Sequence, residues 1–332
     1  MSTAQLVPET WELDGDDAAA VLKEAHFVRL LVDSVKRFRS ADGFSHARSL
    51  AYAMLLTIVP GIIAVVGFAT VGGIGSFRDT VTDLIDDLAP GASGAFLTDA
   101  LSQGAETSAE NGVVPLLFGL VAMTISGVTI FGQVERGCNR IYGIEQDRPF
   151  AQKYGRALAM FGVSFLLGTS AFLAFGIFED AHLWGPNWLR FVISGALGVI
   201  VVALCFAVIF QRSPRRHQPQ VSWLVVGSFV ATVLWVVSTA GLAVVWQLGD
   251  TFGDTYGQLA GVMALSVWCY LIAIGLYLGL AFAAQLEAVR AGRASPQDEE
   301  KVRESEPDGE VKSPSPGEPA PGEPAQDGPD PD

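Results

Sequence analysis

Charge is scarce in this 332-residue chain: Asp, Glu, Lys and Arg make up 17% of it, against roughly 25% in ordinary soluble proteins, and half is hydrophobic. That balance argues against a water-soluble enzyme. Cysteine is also sparse, with Cys138, Cys205 and Cys269 far apart, which excludes a disulfide framework or a CxxC metal clip and leaves packing as their role. The four histidines (His26, His46, His182, His217) fall in separate segments, with no HxH or HExxH cluster, no GxxxxGK[ST] loop and no GxSxG elbow. No metal, cofactor or catalytic residue is therefore expected. Residues 9 to 24 hold six acids and one base, Lys23, so no cleaved signal peptide is expected.

What the chain has in abundance is long apolar runs. About 20 residues at 1.5 Å per residue span the ~30 Å hydrocarbon core of a bilayer. Six runs qualify, at 51–75, 113–133, 157–178, 189–210, 221–247 and 258–286. They are too continuous for period-two barrel strands, so the expected fold is an all-α integral membrane protein with six transmembrane helices. No Asp, Glu, Lys or Arg lies at mid-depth, which argues against a proton relay or an ion-coupled carrier.

The basic residues set the expected orientation. Alternate segments, beginning with the one before the first span, carry 19 of the 21 Lys and Arg residues. By the positive-inside rule both termini are cytoplasmic. Trp184, Trp188, Trp223 and Trp246 lie at span ends and fit interfacial anchors. Glu135 and Arg136 stand where the second span meets the cytoplasm, as an interfacial salt bridge or a gate.

Three domains are expected: an acidic N-terminal tail over 1–20, a membrane domain over 21–290, and a disordered acidic, Pro-rich tail over 291–332. Residues 21–38 space Val21, Ala25, Val28, Val32 and Val35 as an amphipathic helix does, either interfacial or packed on the bundle. Between the first two spans, Val81, Leu84, Ile85 and Leu88, then Phe96, Leu97 and Leu101, are expected to form a helical external loop broken at Pro90-Gly91. Its acids match no calcium loop and read as a solvated face. The last segment holds nine of the 17 prolines and the tandem PGEPAPGEPA. It either binds a cytoplasmic protein partner or keeps the C-terminus solvated.

Within the spans, Pro60 is expected to kink the first, with Thr57 available to satisfy a freed backbone group. Small residues at four-residue spacing (Gly253, Gly257, Gly261; Gly275, Gly279; Ser164, Gly168; Ser194, Gly198) suit close helix packing. Tyr52 and Tyr256 are placed near opposite entrances of a candidate path.

The stretch RFRSADGFSHARSLAYAMLLTIVP, with Arg37, Phe38, Asp42, Ala51, Tyr52 and Pro60, resembles the opening of the YihY/BrkB family of bacterial inner-membrane proteins. CNRIYG (Asn139, Tyr142) and KYGRALAM (Arg156) are similar to its segment after the second span. TYGQLAGVMALSVWCYLIAIGLYLGLAFAAQLEA, with Tyr256, Gly257, Leu259, Trp268 and Tyr270, resembles its sixth helix. The likeness covers about 29–290. It departs at the end of the sixth helix, where the family's GAELNA reads Ala283 to Ala288 with Gln285 in place of the acid and Glu287 two positions on. Arg48 and Ser49 stand where small residues are usual.

The resemblance implies a six-helix bacterial inner-membrane protein linked to envelope integrity or virulence, with transport of a lipid or other envelope component. Members were formerly labelled a tRNA-processing ribonuclease. Of three readings, an envelope role with lipid contact comes first and a scaffold recruiting a partner through the acidic tail second. A nuclease comes last, since the basic residues are accounted for by orientation and no nucleic-acid surface is expected.

Overall fold

The computed structural model describes residues 2–10, 12–72, 82, 92–111, 113–180, 187–248, 258–299 and 301–302. Among them are nine helices: α1 (Gly15–Glu24), α2 (Phe27–Ser40), α3 (Gly43–Gly72), α4 (Ala92–Asn111), α5 (Val113–Ile141), α6 (Phe150–Asp180), α7 (Asn187–Arg212), α8 (Val221–Leu248) and α9 (Gln258–Arg290). The one β feature in this set is an isolated antiparallel bridge between Ala4 and Gln297.

Among the described residues, five helical segments are long and apolar enough to cross a membrane: Gly43–Ala64, Leu116–Ile141, Gly195–Arg212, Val221–Val244 and Ala260–Arg290. The expected third span lies within α6, whose side chains beyond Leu167 are outside the described residues. Of the helical loop expected between the first two spans, residues 92–111 form α4, which buries Leu97 and Leu101 and packs on α3 and α9. The part before it falls outside the described residues, apart from Thr82.

The amphipathic helix expected over 21–38 is two helices. Asp14 caps α1 with a reciprocal capping box to Asp17, and Ala25 ends it in an extended conformation. The break lets each half bury a different face. α1 sets Ala18 and Val21 inward and packs mainly on α8, whereas α2 buries Leu30, Ser34, Arg37 and Phe38 and packs on α9. The valines at 28, 32 and 35 face outward, exposed by 73%, 48% and 45%. Residues 2–10, expected as part of an acidic tail, form a packed strap with Ala4 and Val7 buried. Their few apolar side chains find partners on helices far away in sequence.

The centre of the bundle is the second half of α9, where Tyr277 and every residue from Leu280 to Ala288 are buried. α8 lies against it at close range. A Cβ on Gly279 would stand 2.6 Å from the Gly227 carbonyl oxygen, and one on Gly227 2.7 Å from that of Gly279, so only glycine fits at this crossing. Gly198 meets nothing within 4 Å, so the small-residue spacing expected to pack α7 does not do so there. Trp223, expected at the interface, is fully buried at the start of α8. Outward faces of α5, α7 and α8 carry exposed apolar residues such as Val114, Phe118, Ile125, Ile200, Leu204, Phe229 and Val237. Contiguous apolar exposure on this scale suits lipid contact.

Candidate functional site at the polar end of the bundle

Hydrogen bonds gather one set of helix ends: the ends of α2, α5, α7 and α9 with the starts of α3, α6 and α8. Two buried networks and a cleft are built there.

The first network centres on Asn139, fully buried near the end of α5. Its Nδ2 donates to Asp147 Oδ1 at 3.1 Å, and its Oδ1 accepts the Arg215 backbone N–H at 2.7 Å. Asp147 also pairs with Lys153 at 2.8 Å and Arg136 at 3.3 Å. Partial burial pushes the Asp147 carboxyl up, but hydrogen bonds from Lys153 and Asn139 outweigh it and hold the group below its ordinary value. Glu135 pairs with Arg148 at 3.0 Å, so Glu135 and Arg136 each find a separate partner. Arg148 donates to the carbonyls of Ser213 and Pro214, and Arg156 to that of Arg212, which satisfies acceptors left open where α7 ends.

The second network lies where α2 meets α9. Arg37, with no exposed surface, donates from Nε to Gln285 Oε1 at 2.8 Å and from Nη1 to the Gln5 carbonyl at 2.9 Å. It also reaches the carbonyls of Ile141 and Ser295. Burial pulls its pKa down to about 10, partly offset by Tyr142 and Glu287, and it stays charged at neutral pH. Glu287 is fully buried and ion-paired to Arg216, and the same oxygen accepts from the Thr10 hydroxyl. The Arg216 guanidinium lies 4.4 Å from the centre of the Tyr142 ring. Burial, then Glu287, push the Tyr142 phenol up, against Arg216. Tyr142 is a neutral donor and acceptor at any physiological pH.

The cleft, of ≈ 380 Å³, is lined by Ser2, Ala41, Asp42, His46, Arg140 and Glu145. Asp42 has φ +53°, a left-handed conformation that Asp tolerates better than most residues, and its carbonyl accepts the N–H groups of Ser45 and His46 at the start of α3.

Of the residues singled out in the sequence, the structure brings Asn139 and Tyr142 into the two networks and Asp42 into the cleft. Tyr52 stands apart, 65% exposed on the outer face of α3. Pro60 lies inside a continuous helix, and Thr57 donates to Ala53 at 2.8 Å instead of to the Leu56 carbonyl that the proline frees. Gly261 is buried near the start of α9, at the opposite end of that helix from Glu287. Tyr256 and Gly257 lie outside the described residues. Sequence reasoning did not single out Arg216, Gln218, Asp147 or Thr10 as site residues. The signal for Gln285 and Glu287 was there: two polar residues closing a long apolar helix.

A bundle of long apolar helices with a buried ionic network at one end and lipid-compatible faces defines a multi-pass inner-membrane protein. The model of the family described as virulence factor BrkB matches residues 34–304, and the chain belongs to that family. A UPF0761 membrane protein of Rhodospirillum centenum is 28% identical over 285 residues, covering 83% of this chain and 60% of the relative. One from Halorhodospira halophila is 26% identical, covering 74% of this chain and 54% of the relative. A Bacillus subtilis protein named as ribonuclease-like, YfkH, is 22% identical over 75% of this chain and 92% of its own length. The chain thus spans a little over half the length of the first two relatives. No solved structure matches it.

Proposed function

We propose that this protein is a six-span bundle with both termini and the polar end in the cytoplasm, and that it serves envelope integrity by moving a lipid or other envelope component, engaging it at that end. The 19-to-2 partition of basic residues supports the orientation. The observation that carries the functional reading is the buried cluster of Arg37, Arg216, Glu287 and Tyr142 beside lipid-compatible helix faces. A buried ion pair is a poor way to stabilise a bundle, because desolvation offsets most of the attraction. Keeping these charges buried therefore supports a role beyond packing.

In this reading the protein catalyses no bond-making step. Against the nuclease-like name of one relative, no group of His, Cys, Asp and Glu among the described residues is placed to hold a metal ion. Purified protein is expected to leave precursor tRNA unprocessed with any divalent metal. The acidic tail supports a second role in recruiting a basic cytoplasmic partner, which a pull-down with and without residues 291–332 tests.

The direct test is reconstitution into liposomes with head-group-labelled fluorescent lipids. Faster transbilayer movement than in protein-free vesicles is expected. Rates no faster than in protein-free vesicles for every lipid class would contradict the transport reading.

A further inference from the structure

The strap over residues 2–10 is held almost entirely by the polar end of the bundle. Thr3 N–H donates to Ser40, Val7 N–H to Tyr142 and Asp298 N–H to Thr3, while Ala4 bridges Gln297. Between these anchors the strap offers the buried cluster three groups. The Gln5 carbonyl accepts from Arg37 at 2.9 Å, the Pro8 carbonyl accepts from Arg216 at 2.8 Å, and the Thr10 hydroxyl donates to Glu287. Two acceptors thus face two guanidinium groups and one donor faces a carboxylate.

The strap does not exhaust the cluster. Arg216 Nη1 and Glu287 Oε2 are buried without a hydrogen bond, and beside them the Tyr142 hydroxyl and the Gln218 amide lie against each other. Buried polar groups are nearly always paired, so an unmet guanidinium N–H and an unmet carboxylate oxygen side by side mark a site that can take more than the strap supplies. The orphans again include donors and acceptors together. A simple oxyanion would use the arginines and be repelled by Glu287. A simple cation would do the reverse.

We propose that this cluster binds the head group of a zwitterionic aminoalkyl phosphate, and that the strap holds the same positions as an internal competitor. The phosphate oxygens take the places of the Gln5 and Pro8 carbonyls on Arg37 and Arg216, where charge-assisted bonds to guanidinium are strong. The ammonium takes the place of the Thr10 hydroxyl on Glu287. Tyr142 and Gln218 complete the shell. Because the strap competes, apparent affinity equals intrinsic affinity reduced by the fraction of molecules in which the strap is displaced. This assignment names the ligand class for the transport reading and rests on it, but head-group binding is measured without any lipid movement, so the two fail separately.

The test uses the full chain in detergent with Ala4→Cys and Gln297→Cys, a pair facing each other across the antiparallel bridge at a separation that suits a disulfide. O-phosphoethanolamine is titrated by calorimetry into the oxidised and the reduced protein, with inorganic phosphate and ethanolamine as separate arms. The reduced protein is expected to bind phosphoethanolamine at least tenfold more tightly than either fragment and at least tenfold more tightly than the oxidised form. Thr10→Val, which removes the strap's donor to Glu287, is expected to tighten binding, an effect that a purely structural contact would not give. Short-chain phosphatidylethanolamine that displaces the soluble probe identifies a lipid source, and failure to displace it identifies a soluble one. Equal binding by locked and unlocked protein, inorganic phosphate matching phosphoethanolamine, or no binding to the reduced protein would each overturn the proposal.

Discussion

Arg37 and Gln285 lie 248 positions apart and meet inside the bundle, with guanidinium Nε donating to the side-chain carbonyl at 2.8 Å. Gln285 in turn donates to the Ala294 carbonyl at 2.7 Å. Gln285 stands where the resemblance places an acid, and a neutral amide there serves both bonds while Glu287 supplies the negative charge. The acid has in effect moved two positions along α9 to face Arg216 instead of Arg37.

Arg37→Ala is therefore expected to strand Gln285 Oε1 and several buried carbonyls, at about 1–3 kcal/mol for each group left unpaired. Arg37→Lys should recover little, because an ammonium cannot reproduce the planar fork. Thermal unfolding in detergent checks this, with Arg39→Ala, at an exposed neighbouring position, as the control expected to stay close to the parent.

The glycine pair at the α8–α9 crossing gives a sharper packing test. Gly279→Ala is expected to cost about 1–3 kcal/mol by overpacking against the Gly227 backbone. Gly198→Ala, in open space, should be close to neutral or slightly stabilising. A loss of stability at Gly198 as large as at Gly279 would mean that four-residue spacing, not the observed contact, governs packing.

Much of the fold was legible because an apolar run of bilayer length has few alternatives to a helix, and the spans seen at α3, α5, α7, α8 and α9 overlap those expected. The helix of the first span, α3, begins eight residues before the expected run because GFSHARSL is helical without being strongly apolar. The strap was not legible: Ala4, Leu6 and Val7 follow no helical or strand period, and the burial of Ala4 and Val7 but not Leu6 depends on helices far off in sequence. Tyr142 and Asn139 stood out in the sequence, but their partners did not. Arg37, Arg148, Arg215 and Arg216 all counted toward orientation, and nothing in local spacing separates an arginine that faces lipid head groups from one that neutralises a buried carboxylate.

The outward valines of α2 are exposed while its other face packs on α9, an arrangement that suits a helix lying in a bilayer interface. A tryptophan introduced at Val32 is expected to be quenched strongly by brominated lipid, and one at the exposed position Arg39 weakly. Equal quenching would place α2 clear of the bilayer.

Asp147 sets an acid limit on the polar end. Its carboxyl is held below the ordinary value, so its pairing with Lys153, Asn139 and Arg136 stabilises the folded state fully above the unfolded pKa and is lost as pH falls through the folded one. Stability of the parent should therefore drop below the ordinary carboxylate range, and Asp147→Asn should flatten that part of the profile when unfolding is followed against pH.

The orientation of the polar end is the point on which the account turns, and impermeant thiol labelling in intact cells tests it most directly. Ser213 is a poor reporter because it is buried, whereas His217, in the same loop, has a side chain 83% exposed. Cysteines at Ser93 and Thr251 are predicted to react from outside and one at His217 to react only after the cells are opened. Labelling at His217 in intact cells would contradict the account.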